Sequence, residues 1–186
     1  GHPVVYGEWL GAGSDAPTIL LYAHYDVQPA VKEDGWDTDP FTPTRRDGRI
    51  FARGIGDDKI HSVMIIKVAE SLIASDEGCP VNLKIVIEGE EEMGSPSFAP
   101  WVRENKERLA ADYCLVCDGG IISKEQPSVI HALRGMVALQ VTVTGPKADL
   151  HSGIHGGQVH NPAQVIAEIV SRLHDSDGRI AVPGFY

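Results

Sequence analysis

Positive charge is scarce in this sequence. Its 186 residues hold 16 Lys and Arg against 26 Asp and Glu, a formal net charge of −10. A surface of that sign argues against nucleic acid or an anionic membrane as a partner. Long hydrophobic runs are missing too. Stretches such as Val63 to Ile66 and Leu115 to Cys117 fall far short of the ~20 apolar residues that a bilayer span needs. Cysteine is sparse and odd in number: Cys79, Cys114 and Cys117. This points to a reducing compartment and a cytoplasmic protein. Cys114 and Cys117 have the spacing of half a zinc ribbon, but no second pair follows. They lie in an apolar run and are read as strand residues. What remains, 42% apolar and 23% charged, is the composition of a soluble globular protein.

Apolar patterning predicts alternating strands and helices. Thr18 to Ala23 is β-branched and aliphatic and reads as a buried strand. Asp47-Gly48 between potential strand residues signals a hairpin. A helix is expected from Lys59 to about Ala74, with Val63, Ile66, Ala69, Leu72 and Ile73 at helical spacing. Val81 to Ile87 is a second buried strand, Ser95 to Asn105 a helix capped by Ser95, and Asp112 to Cys117 a third strand. This alternation predicts an α/β layer with mainly parallel strands, whose carboxyl ends bind ligands. The pattern changes near residue 131. Val137 to Thr144 alternates as a one-sided strand, and Pro162 to Leu173 reads as a helix with Pro in its first turn. Residues 1–130 and 131–186 are therefore expected to be parts of two domains.

Acid is abundant at the strand ends. His24-x-Asp26 closes the first strand, and side chains two apart share one side. Such a His can bind a metal through one ring nitrogen while a neighbour orients its ring. Asp57-Asp58-Lys59 follows a Gly-rich turn, where an Asp alone reads equally as a helix cap. Glu88, Glu90, Glu91 and Glu92 crowd the end of the second strand, an expensive arrangement without a compensating cation. Asp118 ends the third strand before Gly119-Gly120, where an Asp alone is a turn former. Taken together, these motifs read as a carboxylate-rich, two-metal hydrolase site. A calcium module would leave His24 unused, because calcium prefers oxygen ligands.

The set His24-Tyr-Asp26-Val-Gln-Pro, Arg53-Gly-Ile-Gly-Asp57-Asp58-Lys59, Glu88-Gly-Glu-Glu91-Glu92-Met-Gly-Ser95 and Asp118 resembles the M20 metallopeptidase family. That family includes carnosinase-like dipeptidases, acetylornithine and succinyl-diaminopimelate deacylases, aminoacylases and carboxypeptidase G. The Tyr25-Asp-Val-Gln-Pro wording and the loop from Trp36 to Phe41 look most like the dipeptidase branch.

The resemblance implies a Zn-peptidase-like α/β catalytic domain followed by an α+β, ferredoxin-like lid that forms a homodimer. It implies two divalent cations, zinc by default, with manganese or cobalt also suited. Asp57 would bridge them, next to a cis Asp57–Asp58 peptide. His24 and Asp118 would complete one ligand set and Glu92 would serve the other. Asp26 would steer His24, Glu91 would be the general base, and His151 would reach from the lid into the partner's site to stabilise an oxyanion. The implied reaction is hydrolysis of an amide bond in a dipeptide or similar substrate with a free carboxylate. N-acyl-amino-acid deacylation is the alternative within the family. The sequence departs from the family pattern at Ile60-His61, where Gly usually follows Asp-Asp-Lys. The family's last ligand His has no match, since neither His160 nor His174 lies in its context. The chain is therefore expected to be a fragment, and a non-catalytic metal-binding piece is the third reading.

Overall fold

The computed structural model describes residues 1–186, which divide into two compact units, Gly1–His131 and Ala132–Tyr186.

The first unit is a mixed α/β layer. Its strands are β1 (Val5–Trp9), β2 (Thr18–His24), β5 (Asn82–Glu88) and β6 (Tyr113–Val116), in the sheet order β1-β5-β2-β6. β5 and β6 run parallel to β2, and β1 runs antiparallel to β5. β1 is an addition to the sequence reading. Its Val5 is exposed and Gly7 interrupts its alternation, so its pairing with β5 is a tertiary choice. The register sets His24 beside Glu88 and Tyr22 beside Val116, which brings the carboxyl ends of three parallel strands together.

β5 is buried along almost its whole length, as expected of an interior strand with both faces covered. Leu21 and Ala23 of β2 pack with Leu83 and Ile87 of β5, Cys79, and Ile65 and Ala69 of helix α1 (Ile60–Ile73). Each buried Leu or Ile contributes about 1.5–3 kcal/mol relative to exposure. The buried stripe of α1 is thus Ile65 and Ala69, four apart. Of the five positions taken from the spacing, only Ala69 is buried, while Val63, Ile66, Leu72 and Ile73 are exposed. The helix is apolar nearly all round, so periodicity alone could not choose its inner face.

β3 (Thr44–Arg46) and β4 (Arg49–Phe51) form the expected hairpin. Asp47 and Gly48 have φ of 51° and 71°, the pair of positive values that a type I′ turn requires. Ser95 does not cap a helix. It has φ 53° and its hydroxyl turns back to Glu88, while α2 (Phe98–Glu104) begins beyond it and the short α3 (Lys106–Leu109) follows.

In the second unit the strand expected at Val137 to Thr144 does not form. A strand needs a hydrogen-bonded neighbour, and no segment pairs with this one; Leu139 is 85% exposed. α4 (Ser152–His155) and α5 (Pro162–Ser171) are present. Pro162 opens α5, and the Asn161 side chain accepts the Ala163 N–H at 2.9 Å. No helix is long and apolar enough to cross a membrane.

Candidate metal centre

His24, at the end of β2, is fully buried. Its backbone is fastened on both sides. Asp58 Oδ2 accepts its N–H at 3.0 Å, and the Ser62 hydroxyl donates to its carbonyl at 3.1 Å. Both ring nitrogens face carboxylates. Nδ1 lies 3.1 Å from Asp26 Oδ1, and Nε2 lies 2.9 Å from Asp57 Oδ1. Glu91 Oε2 and Asp118 Oδ2 are each 3.9 Å from Nε2.

The turn before α1 supplies two of these acids. Its Asp57–Asp58 peptide is cis, and the side chains part there: Asp57 is exposed toward Nε2 while Asp58 is buried. Gly54 opens the turn with φ 80°, and a Cβ there would collide with the Val27 side chain. The second oxygen of Asp58 pairs with His61 Nδ1, one helical turn on. Sequence reading assigned neither Asp58 nor His61 a role; the i, i+3 spacing was the available signal.

The acidic turn after β5 divides by direction. Glu88 is buried, and its Oε1 accepts the Tyr22 hydroxyl at 2.8 Å and the Ser95 hydroxyl at 2.7 Å. Glu90 is buried and accepts the N–H groups of His2 at 2.8 Å and Ser97 at 2.9 Å. These two acids fasten the turn. Glu91 and Glu92 stand on its other side, with their N–H groups 3.2 and 3.0 Å from the Asp26 carboxylate. Glu91 joins His24 and Asp118 in a group whose ligand atoms all lie within 4.8 Å of one another. Glu92 stands outside that group, with its carboxylate on Gln28.

The electrostatics follow from this crowding. Burial works against a charged His24 ring, but the hydrogen bonds to Asp57 and Asp26 and the charges of Asp58 and Glu91 outweigh it and raise its pKa. Burial raises the pKa of Glu91, helped by Asp118, Glu92 and Asp26 and opposed by His24. Burial also raises that of Asp118, with Asp58 and Asp57 adding and His24 and His61 opposing. No Lys or Arg nitrogen lies within 4.0 Å of the carboxylates of Asp26, Asp57, Asp58, Glu91, Glu92 or Asp118. A mixed imidazole and carboxylate set without a neighbouring Lys or Arg fits a divalent metal.

His151 belongs to the second unit. It caps α4, and its Nδ1 accepts the Gly153 N–H at 3.0 Å. In a neutral ring that bond places the proton on Nε2, leaving a donor pointing away from the cap.

The sequence model of Peptidase family M20/M25/M40 matches residues 20–179. The chain is 40% identical over 185 residues to the Cys-Gly metallodipeptidase dug1 of Schizosaccharomyces pombe, covering 98% of this chain and 39% of that protein. It is 37% identical over 186 residues to the Beta-Ala-His dipeptidase of Homo sapiens, covering 99% and 36%. Its fold is similar to an M20 family metallo-carboxypeptidase, Sso-CP2 from Sulfolobus solfataricus, with a TM-score of 0.75 and 33% identity over 100% of this chain and 42% of that one. The chain therefore spans about two-fifths of the length of these relatives. With its metal-ligand chemistry gathered at the ends of parallel strands and this match across most of its length, the chain belongs to Peptidase family M20/M25/M40.

Proposed function

We propose that the protein is a cytoplasmic metallodipeptidase that hydrolyses the amide bond of small peptides with a free carboxylate. One observation supports this reading above the others: the buried His24 Nε2 faces Asp57, Glu91 and Asp118 with no Lys or Arg within 4.0 Å of those carboxylates. The relatives' names favour dipeptides over N-acyl amino acids.

His24, Asp57 and Asp118 would hold one divalent cation and Glu92 a second, with Asp57 shared between them. When bound, the cations would polarise the scissile carbonyl and bring the pKa of the attacking water down toward ~7. The remaining work falls to the chain's own groups. Glu91 accepts the proton of the attacking water on its carboxylate and returns a proton to the leaving amine. Asp26 orients the His24 ring through Nδ1. His151 donates from Nε2 to the developing oxyanion, acting from a partner copy in a homodimer formed through the second unit.

The test is a panel of dipeptides and N-acetylated amino acids offered to the intact protein, loaded with zinc and then chelated. Dipeptide cleavage that disappears on chelation is expected. Cleavage of acetylated amino acids alone, or of neither class by the zinc-loaded protein, would overturn the reading.

A further inference from the structure

Gln28 lies four residues beyond His24 on the segment that leaves β2, and it holds Glu92 by three hydrogen bonds. Its amide nitrogen is 3.0 Å from the Glu92 carbonyl oxygen and 2.9 Å from Oε2. Its backbone N–H reaches Oε1 at 3.2 Å. Asp26, two residues earlier, takes the Glu92 N–H at 3.0 Å. One short segment therefore holds the main chain of Glu92 at both its N–H and its carbonyl, and reaches both of its carboxylate oxygens.

We propose that Gln28 is a positioning residue that presents Glu92 to the second of the two cations, an inference that rests on the two-metal reading above. Glu92 needs such a holder. It follows Glu91 directly and sits beside Asp26, so like charge would drive its flexible side chain out to solvent. A Lys or Arg in place of Gln28 would hold it, but would compete with the metal for the same charge. A neutral amide orients the carboxylate and leaves its charge in place. Each carboxylate oxygen has two lone pairs, so one donor on each leaves the other free for a cation. Glu92 stands outside the group of His24, Glu91 and Asp118, so on the two-metal reading its orientation would bear on the second cation and not on the first. Hydrogen-bond partners of this kind typically change metal affinity by about 10–100-fold.

The test is calorimetric titration of zinc into the metal-free intact protein, wild type beside Gln28→Met. Methionine keeps the length of the side chain and removes its donors, at an exposed position where folding tolerates the change. The expected result is one equivalent weakened about 10–100-fold, the other unchanged, and an unchanged melting temperature without metal. Two equivalents bound as in wild type would overturn the proposal. So would equal weakening of both, or a lower metal-free melting temperature, either of which would make Gln28 a general structural residue. A wild-type protein that binds fewer than two equivalents would instead overturn the two-metal reading itself, which keeps the two failures apart.

Discussion

Asp26 Oδ1 lies 3.1 Å from His24 Nδ1 and also 3.2 Å from the backbone N–H of Glu91. One carboxylate oxygen thus ties the ring expected to bind a metal to the turn that bears the expected general base. Asp26→Ala should lower zinc affinity by about 10–100-fold, because the His24 ring loses its orienting partner. The same change should raise hydrogen exchange at the amides of Glu91 and Glu92. Exchange there as slow as in wild type would contradict the shared tether.

Glu91→Gln should retain zinc and lose turnover by about 10²–10⁴-fold or more in the intact protein, because the amide cannot accept the proton of water. Metal analysis and kcat, measured on one preparation, check both halves. A wild-type kcat would remove Glu91 from the role.

Asp57→Ala should lose both metals, whereas Glu92→Ala should lose mainly one. A shared carboxylate offsets the charge of both cations, and without it they repel each other with less compensation. Two equivalents retained in Asp57→Ala would contradict the assignment.

Asp58→Ala should destabilise the fold without removing a ligand. It leaves the His24 N–H, buried beneath the site, without its acceptor, at a cost of about 1–3 kcal/mol. Chemical denaturation of the metal-free protein would register the loss. An unchanged midpoint would mean that water or another group takes the place of Asp58.

His151→Ala should lower kcat by about 10²–10³-fold while sparing metal content, as expected for an oxyanion donor. Mixed with Glu91→Gln, it should recover partial activity, because a heterodimer then holds one intact composite site. No recovery despite proven subunit exchange would place His151 in cis or outside the site.

Much of this molecule was legible before any coordinates. The apolar runs at Thr18 and Val81 mark strands because an interior strand must be apolar on both faces. Asp47-Gly48 marks a hairpin because those two residues tolerate positive φ. Acids at successive strand ends read as a cation site because clustered like charge calls for compensation, but the choice of His24, Asp57, Glu91 and Asp118 among them is what the resemblance to the M20 family implies. Tertiary structure decided what patterning leaves degenerate. It chose Ile65 and Ala69 as the inner stripe of a helix apolar on every side. It left Val137 to Thr144 without a neighbour, since alternation marks a face and cannot supply a partner strand. It turned Glu88 and Glu90 into the protein, Glu91 toward His24 and Glu92 toward Gln28, a division among like residues that only the direction of each side chain can make.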